Sequence, residues 1–324
     1  MLPVAVVILA RDSADTIERA INSVQSVASQ IVVLDTGSCD DTPSRCAQLG
    51  AEVYFAPWEG DFAAARNQAL RYVRMPWVLA LDSDEELEAD TFLAQAYLLE
   101  QPQLGGVEVQ IRSVASVQKR EPLVQTHWYP RIFRRAEGVA YVGRVHEQIR
   151  PAIEAQGWDI VRAPILIWHY GYTQEHIQTK ARRNIELLQK EAEQRPEDIW
   201  VLYHLGMSFF SAGETETALQ LLRQCSDHPE LQSEQRLWAR LRAAQAALRL
   251  DRLAEVEELL CAPFAEPVLE GMRRYVLAAA LLQQQRFAEA LTLLDSPVVR
   301  HSPLLEGEQV EHYVQVLRRL GKSQ

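Results

Sequence analysis

The stretch Trp77–Leu87, WVLALDSDEEL, sets a five-residue apolar run against five consecutive polar residues, four of them acidic. A short continuous apolar run bounded by polar residues suits a strand covered on both faces, as in a parallel sheet flanked by helices. Read so, Asp82, Asp84, Glu85 and Glu86 crowd the end of a buried strand. Carboxylates this close repel one another unless a cation or hydrogen-bond donors sit among them. The cluster is therefore either a solvated turn or a cation site.

Working outward, the chain up to about Tyr172 alternates apolar, β-branched runs with helical stretches: VAVVILA (4–10), TIERAINSVQSV (16–27), QIVVLDTGS (30–38), TPSRCAQLG (42–50) and AEVYFAP (51–57). That alternation predicts a Rossmann-like α/β domain with a mostly parallel sheet over residues 1–172. Ligands of such sheets gather at the carboxyl ends of the strands, which is where Asp35 and Asp82 fall.

From about Thr173 the β-branched runs give way to Ala, Leu, Gln, Glu and Arg at helical spacing, so residues 173–324 read as an all-α domain. Within it, Leu202, Leu205, Gly206, Phe209, Gly213, Ala218 and Leu222 have the spacing of a tetratricopeptide unit, in which Gly206 and Ala218 let two antiparallel helices approach. Weaker echoes lie around 244–260 and 278–294. A generic helical bundle is the plainer reading of the same pattern.

The 324 residues, 48% hydrophobic, suffice for two ordinary cores. A formal charge of -11 argues against nonspecific binding to nucleic acid or an anionic membrane. Cys39, Cys46, Cys225 and Cys261 show neither zinc-site nor disulfide-framework spacing, which suits a reducing cytoplasm. The apolar run 4–10 meets Arg11 and Asp12 too soon for a signal-peptide core or a transmembrane segment.

Taken alone, Asp82-Ser83-Asp84 at a strand end offers Asp84 to Mg²⁺ or Mn²⁺ and Asp82 to a ligand hydroxyl or an outer-sphere water, or it is a solvated turn. In DTGSCDDT, Asp35 ends a strand before a tight Gly37–Ser38 turn with exposed N–H groups, and Asp40 or Asp41 is expected to cap the next helix. Asp61 is expected to cap the helix that carries Arg66 and Asn67, with Arg66 either bridging to a carboxylate or contacting a nucleotide.

The order VVLDTGSCDDT, WEGDFAAARN, WVLALDSDEEL, PRIFRR (130–135), GRVHEQI (143–149) and WHYGY (168–172) resembles glycosyltransferase family 2, and most of all its branch with a GT-A catalytic domain followed by tetratricopeptide repeats. The resemblance covers roughly residues 3–172 and implies an inverting, metal-dependent transfer from a nucleotide-sugar, a UDP-sugar, to an acceptor. It assigns Asp35 to the nucleobase, Arg66 to the base or phosphates, Asp82 to the ribose or metal waters, and Asp84 to the Mn²⁺ or Mg²⁺ that bridges the diphosphate.

Glu147 is the expected general base, with His146 orienting or replacing it, and His169 the expected second metal ligand. The plainer readings are a packed histidine for His146 and a half-buried one for His169. At the end of the first strand the family commonly has Asn followed by an acid; here stand Arg11 and Asp12, so Asp12 keeps the acid on the donor side.

A dehalogenase-type phosphohydrolase also places two such aspartates after a strand, but Glu86 stands where Thr or Val belongs, and no matching lysine motif is evident. The reading of a different class is a noncatalytic repeat scaffold carrying a decayed transferase domain, against which the intact acidic and His-Glu motifs speak. A glycan, a lipid-linked group or a peptide is the expected acceptor class. The repeats are expected to bind the acceptor, a protein partner or a second copy of the chain.

Overall fold

In the computed structural model, residues 1–114, 123–170, 174–305 and 307–320 are described. The expected domain border at Tyr172 and Thr173 lies outside them, as do Gly171 and Tyr172 of WHYGY. The chain divides into two compact units, Met1–Thr173 and Gln174–Gln324.

The first unit runs β1 (Val4–Ala10), α1 (Ile17–Val24), β2 (Gln30–Asp35), α2 (Thr42–Gln48), β3 (Glu52–Phe55), α3 (Phe62–Leu70), β4 (Trp77–Asp82), β5 (Glu85–Leu87), α4 (Ala89–Leu93), β6 (Leu104–Val114), β7 (Leu123–Arg134), α5 (Arg150–Glu154) and β8 (Asp159–His169). One eight-stranded sheet has the order β3-β2-β1-β4-β7-β6-β8-β5. It is mixed: the pairings β1–β2, β1–β4, β2–β3 and β6–β8 are parallel, whereas β4–β7, β6–β7 and β5–β8 are antiparallel.

β1 is continuously apolar because it is covered on both faces. Val4, Val6 and Ile8 pack with Ile17, Ile21 and Val24 of α1, while Ala5 and Val7 pack with Ala63, Ala65 and Ala69 of α3. Register then sets the strand ends: Ala10 pairs with Asp35 on one side, and Leu9 pairs with Asp82 on the other. The two acids therefore flank the carboxyl end of β1.

Two further register features bring in distant residues. In β6–β7, Val107 pairs with Ile132 and Glu108 with Pro130, so Arg131 is the extra residue of a bulge. Such a bulge re-aims a side chain. In β5–β8, Glu85 pairs with His169, and the Tyr170 amide donates to the Asp84 carbonyl.

The second unit is helical: α6 (Gln174–Gln194), α7 (Ile199–Ala212), α8 (Thr215–Cys225), α9 (Ser233–Arg249), α10 (Leu253–Leu259), α11 (Pro267–Gln283), α12 (Phe287–Leu294), α13 (Pro297–Arg300) and α14 (Gly307–Leu320). Asp198 caps α7 through the Trp200 and Val201 amides, and Gly213, in the left-handed region at φ 86°, ends it. A Cβ at Gly206 would stand 2.9 Å from Leu222 Cγ, so the close approach of α7 and α8 requires the glycine. The weaker sequence echoes fall on the pairs α9/α10 and α11/α12. Among the described residues, no helix is long and apolar enough to cross a membrane.

The tightest glycine contact against backbone in this unit is at Gly271 of α11, where a Cβ would lie 2.7 Å from the Val298 carbonyl oxygen. Backbone yields less readily than a side-chain tip. Gly271→Val is expected to lower stability by about 1–3 kcal/mol, the usual range for overpacking, measured by denaturant unfolding followed by helical circular dichroism.

Candidate active site

The loops that leave β1, β2 and β4 are laced together. The Cys39 amide donates to Asp12 Oδ1 at 2.7 Å, the Asp12 amide to Ser38 Oγ at 2.9 Å, and the Ser13 amide to Thr42 Oγ1 at 2.7 Å. Ser13 Oγ and Ser83 Oγ are 3.0 Å apart. Asp12 thus organises backbone at this edge from a left-handed conformation, φ 47°.

Asp35 is 2% exposed, and its Oδ1 accepts from the Gly37 and Ser38 amides at 3.0 and 2.9 Å. The turn N–H groups expected to be open are therefore taken by the aspartate itself. Of the two acids expected to cap α2, it is Asp40 that bonds an amide at the helix start. Asp41 occupies the cap position without a side-chain bond, while Asp40 accepts from the amides of Thr42 and Ala14 and so ties two loops. Asp61 does cap α3, accepting from the Ala64 amide at 2.8 Å.

Beside this edge runs a chain of alternating charges, Glu85–Arg131–Asp82–Arg66–Glu147. Arg131 Nη2 donates to Glu85 Oε1 at 2.8 Å and to Asp82 Oδ2 at 3.0 Å. Arg66 Nη2 donates to Asp82 Oδ1 at 2.6 Å, and its Nε to Glu147 Oε1 at 2.5 Å. Arg66 is only 4% exposed. The carboxylate reading of Arg66 thus holds twice over. Asn67 beside it clamps Tyr141, accepting from its amide and donating to its carbonyl.

Burial opposes the charge on Asp82, but Arg131 and Arg66 outweigh it and hold the carboxyl well below its ordinary range. Burial likewise opposes both guanidinium charges. Glu147 and Asp82 overcome it at Arg66, and Asp82 and Glu85 overcome it at Arg131, raising both. Glu85 differs: burial pushes it up to about 7 against the pull of Arg131, with the charge of Asp82 pushing the same way. His127 of β7 is lowered to about 4 by burial and by the positive charge of Arg131, which leaves it neutral at pH 7.

Asp84 and His169 meet at 3.3 Å, Oδ2 to Nε2, because β5 and β8 pair there. Two ligands in adjacent corners of an octahedral ion, each about 2.1 Å from it, stand about 3 Å apart, so this pair fits a divalent cation. Among the described residues no group of three His, Cys, Asp or Glu could hold one, so water or phosphate oxygens would complete the shell. Glu86 turns elsewhere, accepting from the Tyr170 hydroxyl at 2.7 Å.

The structure therefore joins Arg66, Asp82 and Glu147 directly, joins Asp84 to His169, and sets Asp12 and Asp35 on the neighbouring loops. His146 is exposed, with φ 55°, beside Glu147. Sequence reasoning missed Arg131, Glu85 and His127 as parts of the site. Only the place of Arg131 inside the quoted PRIFRR motif could have pointed to one of them. Four buried atoms here have no hydrogen-bond partner among the described residues: Asp35 Oδ2, Arg66 Nη1, His127 Nδ1 and Arg131 Nε.

Residues 5–151, most of the first unit, match the family model described as Glycosyl transferase family 2. A TPR repeat-containing protein of Synechococcus elongatus is 30% identical over 232 residues, covering 69% of this chain and 56% of that protein. The SPbeta prophage-derived glycosyltransferase SunS of Bacillus subtilis is 23% identical over 233 residues, covering 71% of this chain and 54% of that protein. The chain spans about half the length of these relatives. Among solved structures, glucosyl-3-phosphoglycerate synthase from Mycobacterium tuberculosis in complex with Mn²⁺ and UDP-glucose matches 34% of this chain and 43% of its own, with 26% identity and a TM-score of 0.30.

The buried charge chain has a pH signature. With its folded pKa raised to about 7, Glu85 holds more proton in the folded state than in the unfolded one between about pH 4.5 and 7, so its contribution to stability falls as pH rises through that window. Glu85→Gln is expected to flatten this decline, by about 3 kcal/mol at most. Denaturant midpoints of both proteins across pH 4.5–7.5, without added metal, measure it.

Proposed function

We propose that the first unit is an inverting, metal-dependent glycosyltransferase that moves a sugar from a nucleotide-sugar, a UDP-sugar, to a glycan, lipid-linked or peptide acceptor. One observation carries this reading: four buried, unpartnered polar atoms and the Asp84–His169 pair gather at the strand ends of a family 2 domain. Unsatisfied buried groups cost free energy that a ligand relieves.

Asp35 receives the nucleobase through Oδ2, with Asp12 holding the adjoining loop in shape. Arg66 Nη1 and Arg131 Nε are open donors suited to the oxygens of an anionic ligand. Asp82 serves the ribose, its two oxygens oriented by the arginines. Asp84 and His169 hold Mn²⁺ or Mg²⁺, which when bound offsets the charge that builds on the departing diphosphate.

Glu147 is the general base. Its Oε1 is fixed by Arg66, and Oε2 accepts no hydrogen bond among the described residues, so that oxygen is available for the acceptor proton. Exposed His146 adjoins Glu147 and orients it. We assign the reaction to the cytoplasm, and the helical unit, read as tetratricopeptide-like pairs, to binding the acceptor, a protein partner or a second copy of the chain.

The test is a panel of nucleotide-sugars with Mn²⁺ or Mg²⁺, scored by donor hydrolysis and thermal shift. Turnover should require the metal, and Asp84→Ala should remove it while the fold survives. Glu147→Gln should lower turnover about a hundredfold or more, with donor affinity unchanged within about twofold. Full activity of Asp84→Ala in chelator-treated buffer would exclude the metal assignment. A larger loss with His146→Ala than with Glu147→Gln would transfer the role of base to the histidine.

A further inference from the structure

Among the described residues, Arg66 is the one that hydrogen-bonds at both ends of the proposed reaction centre. Its Nη2 holds Asp82 on the donor side at 2.6 Å, its Nε holds Glu147 on the acceptor side at 2.5 Å, and it is 4% exposed. Asp82 and Glu147 lie 65 positions apart in sequence, on β4 and on the loop before α5, and no hydrogen bond joins them directly. Around Glu147 the other facing groups are Tyr129, whose hydroxyl donates to the Glu147 carbonyl at 3.3 Å, Tyr141, whose ring lies 5.6 Å from the Arg66 guanidinium carbon, and exposed His146.

We infer that Arg66 is a positioning residue that couples donor binding to the base: one planar guanidinium orients Asp82 and Glu147 together, so a ligand that engages Asp82 fixes the direction in which Glu147 Oε2 points. This rests on the reading of Glu147 as base. The fork geometry is essential, since a guanidinium presents separate N–H groups in fixed directions and an ammonium does not. Arg131 secures the far side of Asp82, so displacement at Asp82 is passed to Arg66 and not absorbed by free rotation of the carboxylate.

The test has two arms in the full chain. First, Asp82→Asn, Glu147→Gln and the double variant are melted without ligand. Each single variant leaves Arg66 one carboxylate, and the double leaves its buried charge with none. The double is therefore expected to melt lower than the sum of the single shifts by more than about 3 °C. These near-isosteric changes keep Arg66 in place should its own variants fail to fold.

Second, hydrolysis of UDP-glucose with Mn²⁺ is followed in Arg66→Lys, Glu147→Gln and their combination. Arg66→Lys is expected to lower kcat more than about 30-fold, and to raise KM as well through the loss of Nη1. The combination should then cost less than about twofold beyond Glu147→Gln alone, because the arginine acts through the glutamate. Additive thermal shifts, or multiplicative losses in kcat, overturn the coupling while leaving the base in place. Wild-type turnover by Glu147→Gln overturns the base assignment itself, and the coupling with it, even where the thermal cycle is non-additive.

Discussion

Asp82 lies between two guanidinium groups, and the order of the strand ends depends on that contact. Three carboxylates, the buried Glu85, the largely covered Glu147 and the partly exposed Asp82, are brought together by β5, the loop before α5 and β4, while α3 and β7 supply the two arginines between them. Remove one arginine and a buried carboxylate is left without compensation, a defect that commonly costs about 3–5 kcal/mol. The surplus negative charge falls at Glu85, whose carboxyl, raised to about 7, can take up a proton. The site is thus a charge lattice first and a binding surface second.

Much of that lattice was legible from the sequence, because strand-end acids follow from continuous apolar runs. The positions of Asp35 and Asp82 needed only the recognition of β2 and β4 as buried strands, and Arg66 stood out as a charge among alanines. What escaped depends on register. Arg131 enters the site because a one-residue bulge in β7 re-aims it, and no local pattern in PRIFRR announces a bulge. Glu85 was read only as one member of an acidic cluster that was either a solvated turn or a cation site, yet it is 1% exposed, since soon after β4 the chain pairs with β8 about eighty residues onward. The Gly37–Ser38 turn was placed correctly but its N–H groups were not, for the carboxylate that ends β2 folds back to take them.

The helical unit shows the opposite balance. Its pairs are set by local spacing and by small residues at crossings, which a sequence displays directly, so Gly206 could be anticipated as a close-approach position, though not that Leu222 stands against it. The sequence echoes suggest an uneven period, but the structure spaces the pairs evenly: α7, α9 and α11 begin at Ile199, Ser233 and Pro267, 34 residues apart each time, with equally long connections from α8 to α9 and from α10 to α11. Spacing alone shows pairs of helices; it does not show what their exposed faces recognise.

An overall charge of -11 sets the electrostatic problem for any anionic ligand of the first unit. Long-range attraction is absent, so affinity has to come from groups encountered at short range, where screening is weak and orientation is fixed. Arg66 and Arg131 each spend some of their donors on the carboxylates and keep one buried nitrogen without a partner among the described residues. In the proposed reading those two nitrogens go to the ligand, and since the carboxylates already hold the guanidinium planes, binding costs little further side-chain entropy. The acids at this edge would then orient the cations for an anion that their own charge opposes.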